Sequence, residues 1–371
     1  MGMASIVVSG DVLRRPRGAN LAAHLQYLIG LRKLGHEVTY LEDRGLHLED
    51  PCDGHVVPRE GIMLLGDLLR RCRVDIPLVW VDADAGLVGG MIWQQLRRRL
   101  READLLLDIG GHCFLEERTL PRRRALVDIE PRPDLRALGP TARQAEHDCY
   151  FSNRRDPDEL PAAEWLPTIP PVVPRLWYGP PARAELPLKV LVPRGTAEGG
   201  LGSARDDEEA LEQLLALPAR LTPRPWTALP DDGSELAQQL AGAGWSVRAE
   251  AAVDASLSAH RAQLIGSQGC LSFRGERDDG VWFSAHDAAF LAAGRPLIAA
   301  GSDLECWLPT GKGLLTFSDL DGAVDAVELV ARDLPRQSAG AREVAERVFH
   351  FKIVLPSLLE QALPRHLQAV A

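Results

Sequence analysis

Short apolar runs alternate along this chain with longer stretches whose leucines recur at helical spacing, the pattern of repeated strand–helix–strand units. Residues 4–10 (ASIVVSG) read as a buried strand, and the polar loop DVLRRPRGAN leads into a predicted helix over 21–34. Leu21, Leu25, Leu28 and Leu34 mark that helix, Gly35 closes it, and HEVTYLED follows as a second strand. Further strands are predicted at 77–81, 104–109 and 125–129, with a helical stretch over 91–102 whose outer face is rich in arginine. This alternation implies a doubly wound parallel sheet of Rossmann type. The dinucleotide fingerprint G-x-G-x-x-G is absent from its first turn.

The same pattern restarts at residue 188. Residues 188–192 form the first predicted strand, PRGTAEGGLGSA is a glycine-bearing loop, and a helix begins near Asp206 with an acidic first turn that suits the helix dipole. Strands follow at 226–229, 245–249, 269–273 and 296–300, and helices near 323–331, 339–348 and 356–363. Between the two halves, residues 157–187 are dense in proline, which excludes a long helix or a central strand. The expected organisation is therefore an N-terminal Rossmann-like domain over 1–172, a proline-rich linker over 173–187, a second Rossmann-like domain over 188–352, and a terminal segment over 353–371.

Composition narrows the function. A chain of 371 residues with 46% hydrophobic and 25% charged residues buries a core in each of two domains. A net charge of −10 argues against nucleic acid or an anionic membrane as principal partner. The six cysteines are scattered with no C-x-x-C pair, as expected of reduced thiols rather than a structural zinc site. No metal ligand set is expected. The chain enters a strand at once, without a leader-like stretch, and no apolar run reaches membrane-spanning length, so a cytoplasmic protein is expected.

Ligands of doubly wound sheets bind beyond the carboxyl ends of the strands, where the strand order reverses. That rule places Gly10, Asp11, Gly110, Gly111, His112 and Glu130 near a binding crevice. Within the first loop, Gly10, Asp11, Arg17, Gly18 and Asn20 form the cleft-side candidates. Asp11, one residue past the strand, is the candidate catalytic base, and His112 the second candidate. His24, a full turn into the helix, is less attractive as a base and reads more readily as a packing residue. In the second half, the stretch from Val281 to Phe317 forms a loop–helix–strand unit whose helix opens on Ser284, His286 and Asp287 and stops at Gly294-Arg295-Pro296. Amide groups and the positive dipole end at such a helix start make an anion site. His286 there serves a phosphate or, alternatively, caps the backbone or packs on Trp282.

The residues WFSAHDAAFLAAGRPL and LPTGKGLLTF carry a resemblance. So do HDCYFS at 147–152 and WLPTIPPVV at 165–173. In these blocks the chain resembles a family of bacterial glycosyltransferase-like proteins of GT-B architecture, α/β proteins with two Rossmann-like domains facing across a cleft. The resemblance implies transfer of a sugar from a nucleoside-diphosphate-sugar to an acceptor hydroxyl, without metal or other cofactor, in bacterial secondary or cell-surface metabolism. It implies a nucleotide-sugar donor and a small-molecule or glycan acceptor as partners, and a last helix that crosses back to the first domain. Donor phosphate contacts would come from Arg194, Gly195 and Thr196, in the loop after the first strand of the second domain, and from Ser284, His286 and Asp287.

Departures from the family pattern keep two other readings open. Ala289 stands where many such enzymes carry a ribose-binding glutamate, and Gln268 and Cys270 replace a basic residue and a glutamate. These changes favour a catalytically degenerate GT-B protein that binds a nucleotide, a sugar or a partner enzyme. A sugar-nucleotide epimerase is the other reading.

Overall fold

The structure is a computed structural model describing residues 2–44, 57–83, 86–129, 147–153, 165–191, 204–221, 225–229, 233–273 and 283–363. It divides into two compact units. One comprises the residues up to Val173 together with those from Phe351 onward, and the other is Pro174–His350.

The first unit is built on an eight-stranded sheet of order β4-β3-β2-β1-β5-β6-β7-β8. Its strands are β1 (Ser5–Ser9), β2 (Glu37–Asp43), β3 (Leu78–Asp82), β4 (Leu87–Gly89), β5 (Leu105–Ile109), β6 (Arg124–Asp128), β7 (Cys149–Ser152) and β8 (Trp165–Pro167). Every pairing is parallel except β3 with β4. The run LLLDI of β5 is buried throughout, as a strand covered on both faces must be. Strand order reverses between β1 and β5, so the carboxyl ends of these two strands flank the crevice.

Nearly the whole girth of the helix Gly18–Lys33 is buried, because the terminal helix Phe351–Ala362 packs on it. Gly30 permits that approach: a Cβ there would stand 2.5 Å from Leu355 Cδ1. Buried Gln26 uses both ends of its amide, donating to Ala22 O at 2.9 Å and accepting from Val173 N at 2.6 Å. Phe351 N in turn donates to Val172 O at 2.8 Å, so the segments by which the chain leaves and re-enters this unit are hydrogen-bonded together.

The second unit carries an all-parallel six-stranded sheet of order β11-β10-β9-β12-β13-β14. Its strands are β9 (Leu188–Leu191), β10 (Pro225–Leu229), β11 (Ser246–Ala249), β12 (Cys270–Ser272), β13 (Leu297–Ala300) and β14 (Leu314–Phe317). Its core joins Leu188, Val190, Leu271, Ile298 and Leu315 from the sheet to Leu214, Leu217, Leu240, Val327 and Val330 from the helices. The reversal of strand order falls between β9 and β12.

Periodicity missed several elements for identifiable reasons. The strand β8 lies inside the proline-rich stretch; it is tolerated because it is the sheet edge and its proline is the last residue. The short β7 ends the HDCYFS block, whose His147 and Asp148 conceal its strand character. The helix Arg59–Arg71 buries only Gly61, Leu65 and Leu69, a narrow stripe in a polar sequence. Pro356 suggested a helix start, whereas the terminal helix begins at Phe351 and takes the proline inside. Among the described residues, no helix is long and apolar enough to cross a membrane.

Candidate active site

Four acidic residues gather at the carboxyl ends of β1, β2 and β5, and three of them hold the loops that carry the fourth, Asp11, and His112. Glu42 and Tyr40 of β2 hold the loop after β1. The Glu42 carboxylate accepts from Leu13 N (2.7 Å), Arg14 N (2.9 Å), Arg14 Nε (2.9 Å) and Tyr40 Oη (2.8 Å). Tyr40 Oη accepts from Val12 N at 3.1 Å, so consecutive loop amides are satisfied from one strand. Burial pushes the Glu42 carboxyl up to about 7, against the pull of Arg14 and of these donors.

Asp43 and Asp108 do the same for the loop after β5. Asp43 accepts from Phe114 N (2.5 Å) and Leu115 N (2.7 Å); burial raises its carboxyl despite those bonds. Asp108 accepts from Ser9 Oγ (3.0 Å), His112 N (2.9 Å) and Cys113 N (3.4 Å). It also faces His147, whose Nε2 is 3.5 Å from its Oδ2. Burial alone would raise Asp108, but the bond to His147, the charges of His147 and His112, and the Ser9 hydroxyl together hold it below the usual carboxylate range. The turn is tight because Gly110 and Gly111 lie at φ 75° and 70°, which only glycine adopts without strain.

Asp11 is the acid these loops present. It is 1% exposed, accepts from Asn20 Nδ2 at 3.0 Å, and has Arg15 Nη1 at 3.7 Å and His112 Nε2 at 3.6 Å from Oδ2. The structure thus brings together both sequence-predicted catalytic candidates, along with Gly10 of the first loop and Asn20 in the first turn of the helix that follows; Gly18 is the buried first residue of that helix. Arg17 does not join them: its carbonyl accepts from Leu21 N at 2.8 Å in the first helical turn, and its side chain is exposed.

Sequence reasoning set His24 aside, and the structure returns it to the cluster. The imidazole is 1% exposed, its Nδ1 lies 2.9 Å from Asn20 O, and a Cβ on Gly10 would stand 2.2 Å from its Nε2. Gly10 is therefore required by the ring that closes on it. The signal for Glu42, Asp43 and Asp108 was present in the sequence as acidic residues terminating apolar runs (YLED, LLLD), which pure packing does not call for.

In the second unit, Arg194, Gly195 and Thr196 lie outside the described residues, as do Trp282 and, in the first unit, Glu130. The helix Ala285–Ala292 opens on a reciprocal cap: Ser284 Oγ accepts from Asp287 N (3.0 Å) and donates to Asp287 Oδ2 (2.5 Å), which also accepts from Ser284 N (3.1 Å). Ser284 and Asp287 thus serve one another, and the Ser284 hydroxyl proton is already placed on a carboxylate.

His286 stands differently. Its Nδ1 is 3.4 Å from His260 Nε2, and His260 Nδ1 is 2.9 Å from Asp254 Oδ1. With Asp254 accepting from His260 Nδ1–H, His260 Nε2 accepts from His286 Nδ1–H, a carboxylate–imidazole–imidazole relay ending at the helix start. The rings meet edge to face, 5.0 Å between centroids, and His286 packs likewise on Phe290. Burial lowers the His260 pKa; Asp254 opposes the shift and Lys189 adds to it.

Gln268 and Cys270 require a correction. They stand before and at the amino end of β12, opposite the end where ligands of such sheets bind, so their identity says nothing about donor contacts. Arg274 and Glu276, on the carboxyl side, lie outside the described residues. Ala289 is 1% exposed inside its helix and lines the core. Among the described residues, no group of three or more His, Cys, Asp or Glu side chains is arranged to hold a metal ion.

The two Rossmann-like units in this order define the GT-B class of α/β fold. Solved structures share it over nearly the whole chain. AviGT4, a glycosyltransferase of avilamycin A biosynthesis, matches with a TM-score of 0.60 at 16% identity, covering 99% of each chain. HepE of Anabaena, solved with UDP and glucose, matches at 0.58 and 11% identity over 96% of this chain and 99% of its own. Sucrose-phosphate synthase of Thermosynechococcus elongatus matches at 0.55 and 12% identity over 99% of each. No family model and no curated protein matches the chain.

Proposed function

We propose that this chain is a glycosyltransferase that moves a sugar from a nucleoside diphosphate to an acceptor hydroxyl. The single observation that carries the reading is the Asp11–His112 pair, a buried carboxylate 3.6 Å from an imidazole at the switch point of the first sheet. Side-chain exposure divides the labour: Asp11 is 2% exposed and His112 12%. His112 is the group an acceptor reaches, and Asp11 stands behind it to stabilise the imidazolium. This refines the sequence-based assignment, in which Asp11 was the base.

In the proposed reaction the acceptor O–H gives its proton to His112 and the oxygen attacks the anomeric carbon of the donor sugar. The bond from that carbon to the β-phosphate oxygen breaks, and its electron pair leaves with the nucleoside diphosphate. Direct displacement of this kind inverts the anomeric centre. Protein donors rather than a metal ion are proposed to hold the departing diphosphate: His286, the amides of the helix it starts, and Arg194. Through His260, the Asp254 carboxylate stands behind His286 and orients its ring toward the phosphate. Support for the donor class comes from the shared fold, in which HepE was solved with UDP and with UDP-glucose.

The test is a thermal-shift panel of nucleoside diphosphates followed by transfer assays with the nucleotide sugar that binds, because a ligand of the native state raises its melting temperature. His112→Ala should lower kcat about 10²–10⁴-fold while leaving the nucleotide shift in place. His286→Ala should weaken the nucleotide shift instead. A folded protein that binds no nucleoside diphosphate would move the reading to the degenerate binding protein.

A further inference from the structure

The helix Ala285–Ala292 has its anion-facing start at one end and a cavity at the other. This cavity, about 310 Å³ in volume, lies wholly in the second unit and is lined by Tyr178, Gly179, Ala292, Arg342, Ala345 and Glu346 among others. An eight-residue helix is roughly 12 Å long, so the cavity stands well away from His286.

Two arginines meet beside it, and among the described residues neither is ion-paired to a carboxylate. Arg295 is 0% exposed; its Nη2 donates to Pro180 O (3.0 Å) and Ile265 O (2.7 Å), whereas Nε and Nη1 have no partner among the described residues. Arg342 lines the cavity, and its buried Nε also has no partner among the described residues. Its guanidinium lies against Gly294, where a Cβ would come within 2.5 Å of Nε, and φ of 68° demands glycine there in any case. Burial and then the neighbouring charge of Arg342 push Arg295 down to about 10. The nearby acid, Glu346, is turned elsewhere: it accepts from Tyr178 Oη at 3.1 Å and lies 3.6 Å from His350 Nε2.

A fully buried guanidinium beside a half-buried one, with no carboxylate paired to either among the described residues, is costly, and each missing hydrogen bond adds to that cost. Planar N–H forks of this kind match carboxylate and phosphate oxygens. We propose that this cavity binds a small oxyanion, a compact molecule bearing a carboxylate or phosphate group, whose oxygens accept from Arg342, with Arg295 as the charge behind it. The site is separate from the donor site, and its occupancy does not depend on the transfer reaction.

The experiment is calorimetric titration of the full chain with inorganic phosphate and with succinate, each against potassium chloride at equal ionic strength. The expected result is saturable binding of at least one oxyanion and none of chloride. Arg342→Ala should weaken it about tenfold or more, the loss of a charge-assisted hydrogen bond. That variant also relieves the repulsion on Arg295, so its melting temperature without oxyanion should equal or exceed that of the parent. Glu346→Gln, at an exposed side chain, should tighten binding by removing the cavity's own negative charge. Binding should persist in His286→Ala, which separates it from phosphate held at the donor site. If neither oxyanion binds, if Arg342→Ala binds as the parent does, or if His286→Ala abolishes binding, the proposal fails. Stronger response to phosphate than to succinate would identify a phosphoryl ligand, and the reverse a carboxylate one.

Discussion

The switch points of the two sheets are built from opposite materials. At the first, between β1 and β5, Asp11, Glu42, Asp43 and Asp108 lie within the unit's interior and are interleaved with His24, His112 and His147. At the second, between β9 and β12, the described polar groups near the helix start include Ser284 and Asp287, which cap one another, and a second carboxylate, Asp254, spent on a histidine relay. Dense buried acids repel anions and move protons; a helix start with imidazoles and few acids suits a phosphate. The same Rossmann-like scaffold thus carries buried acids interleaved with histidines at one switch point and a capped helix start beside paired imidazoles at the other.

The comparison breaks most readily at Asp108. It receives Ser9, two loop amides and His147, so Asp108→Ala orphans a set of buried donors at once. The expected cost is roughly 3–5 kcal/mol of stability, with activity lost through the displaced His112. Denaturant unfolding measures the first; a variant as stable as its parent would show that Asp108 does not hold the turn.

A smaller effect is expected at Gly10. Its missing side chain makes room for His24, a ring anchored at Nδ1 and unable to swing away. Gly10→Ala should cost about 1–3 kcal/mol by overpacking. His24→Ala in the same chain should recover most of that loss in a double-mutant cycle, and strict additivity of the two changes would remove the contact from the account.

The smallest expected effect concerns pH. His260 has a folded pKa below its ordinary value, so the native state binds fewer protons than the unfolded chain around that value. Its contribution to stability is present above about pH 6.5 and declines as the pH falls from there through the folded pKa. His260→Gln should flatten the acid side of the melting-temperature profile over that window, while the Asp108 carboxyl, held low, affects only more acidic conditions.

Much of the fold was written in local pattern. The runs IVV, LLL, PLIAA and their helical partners specify buried parallel strands by β-branched and apolar content alone, and Gly35 and Gly294 mark helix ends because few other residues adopt their backbone geometry. The rule that ligands bind beyond the carboxyl ends of strands pointed to Asp11 and His112 as candidates, and the structure sets them 3.6 Å apart.

Long-range contacts decided the rest. That Glu42 holds the loop at residues 12–14, or that Asp43 holds residues 114 and 115, follows from β2 lying beside β1 in a sheet that also places β5 next to β1. His24 reads as a packing residue in its own helix and becomes part of the site only because Gly10, on another element, lacks a side chain. Gln268 and Cys270 looked like lost donor residues until strand direction put them at the wrong end of β12. The pairing of Arg295 with Arg342 joins residues 47 positions apart, one beside a glycine turn and the other in the last turn of another helix. Hydrophobic periodicity is a property of neighbours in sequence and is legible there; a hydrogen bond between strand ends depends on sheet order and register, which the chain acquires only when its distant segments pack.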